Sequence, residues 1–450
     1  MAKKIDLKQY LGKEMKCGCG RTHSTPLDEL DIDRGALNRL PAYIQRKGYK
    51  KVYLVADTNT WQALGKEEAG ELDKAGVSFS QYILPYTDLI PNEQSVGEVV
   101  IHCPADCDLI LAVGSGTIND MCKFISARLK LDYIILASAP SMDGFVSVGA
   151  ALIVSHVKTT YDAHCPVAVF GDPDILAQAP MKMISAGLAD ILGKHTCLLD
   201  WKMAHLINGE YYCDEVAQMV RDALAVVTEE GPKIKDRNPD AVKAVMEALV
   251  LTGIAMYFTG NSRPASGCEH HMSHYWEMKF EMEGKKPVLH GTKVGINTIA
   301  ATYMYRMLAA EDIDFKAAKQ KDFDYKGWKE RVERCYVDAA PGIIALEDKC
   351  QKNNIEARNK RLDFYEEHWD EMKKLINENL PTVEALRDLL SLLGGAVNPA
   401  QIEVSTEMVK DGVVLAKEVR DRFTLLQILW DLGLSEDYSL RLADYFEKNQ

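Results

Sequence analysis

Residues 108–128, DLILAVGSGTINDMCKFISAR, decide the fold. Leu109 to Val113 form an unbroken apolar run, the pattern of a strand covered on both faces. Gly114-Ser115-Gly116 then permits a sharp turn, and Met121 to Arg128 carries helical spacing. Strand, glycine turn and helix make the repeating unit of a parallel sheet with crossover helices. Gly114 and Gly116 would let the backbone approach a pyrophosphate closely, with the next helix offering its N–H groups and positive dipole end. No Walker lysine is present and the loop is not GxGxxG, so Gly114 to Ile118 is either a phosphate cradle or a tight strand-to-helix connection.

Working outward, short β-type runs alternate with helical patterns from about Lys51 to Phe170: Val52 to Ala56, Val77 to Leu84, Leu109 to Val113, Tyr133 to Ala137, Ala150 to Ser155 and Val167 to Phe170. Asp57 closes the first run. Its carboxylate can accept hydrogen bonds from an adenosine ribose, favouring NAD over NADP, or can cap the helix before Thr58 to Leu64. Ser138-Ala139-Pro140-Ser141-Met142-Asp143 follows another strand end, where open α/β sheets place ligands. From Pro180 onward the texture turns to long 3.6-period segments, including Met181 to Asn208, Asp214 to Glu230, Ala241 to Tyr257 and Lys293 to Leu308. Lys349 to Asn377 reads as a solvated helix with Leu362, Tyr365 and Trp369 inside. Residues 1–179 are expected to form an α/β domain and residues 180–450 an all-α domain.

The 450 residues carry a net charge of -13, which opposes attachment to nucleic acid or to an anionic membrane. No run is expected to reach the roughly 20 apolar residues needed to cross a bilayer. The eleven Cys, with no signal-peptide pattern at the start, read as thiols of a cytoplasmic protein. Cys17, Cys19 and His23 in CGCGRTH offer only three metal ligands, so this segment reads as a turn with small buried thiols.

Residues 266–274, SGCEHHMSH, hold the densest chemistry, and His290 follows soon after. His270 and His274 at i and i+4 share one helix face, as a metal pair, a catalytic pair or two partner-satisfied histidines.

Taken together, GSGTIND, SMDGFVSVGA at 141–150, GLADILGK at 187–194, SRPASGCEHHMSH at 262–274 and HGTKVG at 290–295 resemble the glycerol-1-phosphate dehydrogenases, in particular their bacterial AraM-like branch. That family sits in the superfamily of iron-type alcohol dehydrogenases, glycerol dehydrogenase and 3-dehydroquinate synthase. VRDRFT at 419–424 is also similar to the branch. The resemblance implies a Rossmann-like nucleotide-binding domain followed by a helical metal- and substrate-binding domain, the dehydroquinate synthase-like fold. It implies one divalent metal, nickel or zinc with iron also accommodated, on Asp190, His270 and His290. His274 and Asp143 would handle substrate with Asp190, and His271 would be structural. For NAD, or alternatively NADP, it carries over Asp57, Gly114, Ser115, Gly116, Thr117, Ile118, Ser138, Ala139, Pro140, Ser141 and Ser147. Ser115 and Thr117 stand where other members commonly have a GGGK-type loop. Arg263, just before the His helix, is expected either to grip a substrate phosphate in two places or to form a surface ion pair.

The implied reaction is reversible reduction of dihydroxyacetone phosphate to sn-glycerol 1-phosphate by a homodimer. The rival expectations are a glycerol dehydrogenase or 3-dehydroquinate synthase-like enzyme and, from another class, a catalytically silent NAD- or metal-binding protein.

Overall fold

The computed structural model describes residues 5–154 and 157–449, so Ser155 of the expected run Ala150 to Ser155 lies outside the described residues. Ten strands occur among the described residues, in chain order β1 (Met15–Lys16), β2 (Thr22–His23), β3 (Glu29–Ile32), β4 (Val52–Asp57), β5 (Phe79–Leu84), β6 (Leu109–Gly114), β7 (Asp132–Ala137), β8 (Gly149–Val154), β9 (Val157–Asp162) and β10 (Ala168–Gly171). Six of them form one sheet in the order β3-β10-β7-β6-β4-β5. Every pairing in that sheet is parallel, as the continuous apolar runs require. All six residues of β4 and of β6 are buried.

Strands β1, β2, β3 and β9 are absent from the sequence reading, and β8 departs from it in its pairing. Glu29–Ile32 is a sheet-edge strand that its short ELDI pattern, half exposed, did not announce. The run beginning at Gly149 does not join the parallel sheet; it pairs antiparallel with β9. Two intervening residues are too few for the crossover that a parallel return needs, so the chain can only double back.

The chain divides into two compact units. One contains the sheet and reaches past residue 179 to take in helices Met181–Leu192, Asp214–Glu230 and Pro239–Thr259. The other is helical, with Lys194–Asn208, Cys268–Met282, His290–Ala310 and Ile355–Asn379 among its helices. In the sequence Met181 to Asn208 reads as one segment; the structure interrupts it at Gly193. Leu362, Tyr365 and Trp369 are buried as their spacing predicts.

Helix Pro239–Thr259 is long and apolar enough to span a membrane by length and composition, yet 78% of its apolar window is buried inside the protein. Apolar residues surround this helix on all sides because it is a core element.

One core position is costly at neutral pH. Glu68, on helix Lys66–Lys74, is fully buried, and neither carboxylate oxygen has a hydrogen-bond partner among the described residues. Burial, with Glu71 and Glu67 adding like charge, pushes its carboxyl up to about 8 from 4.5. A carboxyl whose folded value is raised holds its proton better folded than unfolded. It therefore favours folding below the unfolded value and loses that contribution as pH climbs through the folded one. At about 1.4 kcal/mol per unit, unfolding free energy should fall by up to ~4 kcal/mol from this group between about pH 4.5 and 8. Glu68→Gln should flatten that slope in urea unfolding near pH 5, 7 and 9; an unchanged slope would refute the assignment.

Candidate active site

In the sheet unit, strand order reverses beside β4, with β5 on one side and β6 on the other, and ligands of open α/β sheets gather at such a point. Asp57 ends β4, Gly114 ends β6 and Ala137 ends β7. Gly114 lies opposite Ala137, and Ser138 N donates to Gly114 O at 2.9 Å, so the two following loops leave the sheet side by side. Ser115 Oγ then hydrogen-bonds with Ser141 Oγ, joining them.

Helix Gly116–Leu129 opens at this place without a side-chain cap. The first N–H groups of a helix have no internal partner, so those of Gly116, Thr117 and Ile118 suit an anion. The Ile118 side chain is itself buried against Gly114. A Cβ on Gly114 would stand 2.6 Å from Ile118 Cβ, which explains the glycine. Asp57 realises the capping alternative: Oδ1 accepts from Thr60 N at 2.8 Å while Asp57 N donates to Thr60 Oγ1 at 3.0 Å.

The turn Ser138, Ala139, Pro140 and Ser141 is buried and packs on helix Met181–Leu192. Contact is so close that a Cβ on Gly187 would lie 1.8 Å from Pro140 O. Asp190, fully buried on the same helix, accepts from Asp143 N at 3.0 Å through Oδ2. Sequence reasoning missed Lys123. Its buried ammonium donates to Gly144 O at 2.6 Å, Ser147 Oγ at 3.1 Å and Gly149 O at 3.1 Å, and pairs with Asp120. Ser147 is thereby held within an internal network beside Asp143.

In the helical unit, helices Cys268–Met282 and His290–Ala310 bring three imidazoles together. Ring centroids are 5.1 Å apart for His270 and His290, 5.8 Å for His274 and His290, and 6.2 Å for His270 and His274. His270 Nδ1 donates to Glu269 Oε1 at 2.7 Å, which leaves Nε2 with its lone pair. Glu269 also accepts from Gly267 N at 2.7 Å and Thr196 Oγ1 at 2.7 Å. Burial alone would raise this carboxyl, but the His270, Thr196 and Gly267 donors hold it below its ordinary value. Asp200 anchors the start of the same helix by accepting from Cys268 N at 2.7 Å. Burial and then Glu269 push Asp200 up to about 6, against donors that include Tyr305.

A carboxylate behind a ligating imidazole fixes ring and tautomer. With His270 as an expected metal ligand, Glu269→Gln should therefore weaken divalent-metal affinity by about 10- to 100-fold. Equilibrium dialysis with nickel or zinc checks this, and wild-type affinity would contradict it.

His274 Nδ1 lies 3.5 Å from Glu277 Oε2, and Lys293 Nζ donates to Glu277 Oε1 at 3.2 Å. Glu277 follows His274 by three positions, a spacing at which helical side chains meet, so the sequence did carry this signal. His271 is fully buried. Burial first, then the charges of Arg422, Lys352 and His274, drive its ring well below the usual range, in keeping with a structural, neutral role.

Arg263 requires a correction. Its guanidinium is 2% exposed; Nε donates to Glu210 Oε1 at 2.6 Å, Nη2 donates to Glu210 Oε2, and Nη1 donates to Phe423 O at 2.8 Å. An ion pair forms, with Arg263 buried where a surface pair was expected, and Glu210 takes the fork that a phosphate would need. Sequence distance hid this partner, 53 residues away. Burial, then Arg263 and Arg420, lower the Arg422 guanidinium to about 10, against Glu210 and Asp421, which raise it.

The chain is similar to known proteins along most of its length. The profile described as iron-containing alcohol dehydrogenase matches residues 31–180. The protein of Geobacillus stearothermophilus named glycerol-1-phosphate dehydrogenase [NAD(P)+] is 33% identical, the match covering 95% of this chain and 98% of that one. Its namesake in Halalkalibacterium halodurans is 34% identical over 94% and 97%. Among solved structures, an iron-containing alcohol dehydrogenase from Thermococcus thioreducens superposes with a TM-score of 0.62 at 15% identity, covering 94% of this chain and 99% of that one.

Proposed function

Because the chain belongs to the glycerol-1-phosphate dehydrogenase family, we propose that it reduces dihydroxyacetone phosphate reversibly to sn-glycerol 1-phosphate with NAD(P)H and one divalent metal. The observation that carries the site is the cluster of His270, His274 and His290, with Glu269 fixing the tautomer of His270.

Asp190, His270 and His290 are our metal ligands. One carboxylate and two imidazoles suit nickel, zinc or iron(II), and nickel or zinc is our choice. When bound, the metal supplies Lewis-acid polarisation of the ketone and the nicotinamide supplies the hydride. The residues of the chain position and protonate. Gly114, Ser115, Gly116, Thr117 and Ile118 receive the pyrophosphate at the uncapped helix end. The turn Ser138 to Ser141 and Ser147 complete the proposed cofactor contacts, and Asp57 uses its remaining acceptor capacity for the adenosine ribose. Asp143 and His274 hold the substrate hydroxyls. Glu277 orients His274 through Nδ1, so that Nε2 can pass a proton to the oxygen at C2. A homodimer is the assembly we expect from the branch.

For the phosphate we assign Arg422. It is a half-buried cation within residues 419–424, the segment similar to the bacterial branch, and belongs to the same helical unit as His274. Arg422→Ala should raise KM for dihydroxyacetone phosphate by about 10- to 100-fold, the loss of a charge-assisted bidentate contact, and leave KM for dihydroxyacetone nearly unchanged. Equal losses on both substrates would remove the assignment.

The reaction itself is tested by following NADH absorbance with purified protein, dihydroxyacetone phosphate and nickel, zinc or iron(II) in turn. No oxidation with any metal would defeat the proposal. Chiral analysis of the product then decides the sn-1 assignment.

A further inference from the structure

A second group of metal-type donors lies at the N-terminal hairpin, apart from the reaction chemistry. Strands β1 and β2 pair Met15 with His23 and Lys16 with Thr22. The connecting turn is tight: Cys17 N donates to Arg21 O at 3.1 Å, and Gly20, at φ +83°, donates back to Cys17 O at 3.1 Å. The turn folds both cysteines toward the histidine. Cys19 N donates to Cys17 Sγ at 3.4 Å, and Cys19 Sγ lies 3.4 Å from His23 Nε2.

His23 is prepared as a ligand. Its ring is 2% exposed and stacks on Phe258 at 5.1 Å, while Nδ1 lies 3.1 Å from Phe258 O. A carbonyl can only accept, so Nδ1 carries the proton and Nε2 faces the sulfur with its lone pair. Backing a ligating imidazole with a carbonyl is the usual outer support of a metal site.

The sequence offered three donors here, one too few. The chain supplies the fourth at the head of helix Asp214–Glu230. Gly18 N donates to Glu215 Oε1 at 3.1 Å, docking the turn on the first turn of that helix. Cys213, fully buried, is the residue immediately before it. One donor atom from each of Cys17, Cys19, His23 and Cys213 lies within 4.8 Å of all the others. Three sulfurs and one imidazole nitrogen form the donor set of a closed structural zinc site.

We propose that Cys17, Cys19, His23 and Cys213 bind one zinc ion that fastens the N-terminal hairpin to the start of helix Asp214–Glu230. Binding releases the thiol protons to solvent, and no redox step is involved. With three thiolates and a neutral imidazole the loaded site carries one net negative charge. Arg21, within the same turn and donating to Thr259 O at 3.3 Å, is a nearby counter-charge.

Cobalt(II) separates this site from the active site, because Asp190, His270 and His290 bring no sulfur. The full chain, stripped of metal and reduced without oxygen, should develop a near-ultraviolet sulfur-to-cobalt charge-transfer band with intense tetrahedral visible bands. These should saturate at about one equivalent per chain and vanish on adding zinc. Cys213→Ser and Cys19→Ser should lose most of the charge-transfer band, whereas His290→Ala should keep it. Absence of the band in the wild type, or its persistence undiminished in both cysteine variants, overturns the proposal. Should a variant not fold, the wild type still decides. Stepwise blocking of its thiols with a mercurial, beside a chromogenic zinc indicator, must release zinc as thiols are consumed. Thiol blocking without zinc release from zinc-loaded protein overturns the proposal equally.

Discussion

Asp190→Asn should lower kcat/KM for dihydroxyacetone phosphate by on the order of 10³- to 10⁴-fold, equivalent to about 4–5.5 kcal/mol of transition-state stabilisation. Asn is nearly the same shape, and its amide oxygen can still accept the Asp143 N–H that Asp190 Oδ2 accepts at 3.0 Å. The helix and the neighbouring turn should therefore stay in place, and NADH binding, measured by fluorescence, should change little. What disappears is the negative donor of the proposed metal set, so bound metal after dialysis should fall together with activity. Near-normal activity with retained metal would remove Asp190 from the ligand set. Lost NADH binding would indicate a structural role in its place.

The second large effect concerns packing. Gly187→Ala should destabilise the sheet unit by about 3 kcal/mol or more, because the added methyl would meet Pro140 O at 1.8 Å and Pro140 C at 2.7 Å. Backbone atoms cannot swing aside as the end of a flexible side chain can. Either helix Met181–Leu192 retreats from the turn Ser138 to Ser141, or the turn moves. Both outcomes disturb Ser141, which is bonded to Ser115 of the glycine loop, so KM for NADH should rise as stability falls. Urea unfolding and steady-state kinetics on the same preparation check the pair of effects. Wild-type stability in Gly187→Ala would show that the close approach does not exist in solution.

These residues also mark what can be read in advance. The parallel sheet was legible because buried strands such as Leu109 to Val113 are apolar without alternation, and their glycine turns lie next to them in sequence. The helical unit was legible from its 3.6-residue period. His270 and His274 declared themselves by spacing within one helix. Partnerships across long sequence separations were not legible. Glu210 claims Arg263, and Cys213 completes a donor set begun at Cys17; nothing local in either segment points to its partner. Glu269 was missed for another reason. It adjoins His270 in sequence, and adjacent helical residues ordinarily point apart. Here the carboxylate reaches back to Gly267 N ahead of the helix, and that fold of the side chain brings it to the imidazole.

Asp57 gives the fold an evolutionary consequence. The carboxylate that we propose for the ribose diol also caps the helix after β4, through a reciprocal pair of bonds with Thr60. On that proposal, a lineage shifting from NAD toward NADP would remove the negative charge to admit a 2′-phosphate. Replacement by Ala would sacrifice about 1 kcal/mol of capping with it. The least costly routes to the new coenzyme therefore run through Asn, Ser or Thr, residues that surrender the charge and keep the cap. In this way a local rule of helix geometry narrows the substitutions by which coenzyme preference can drift.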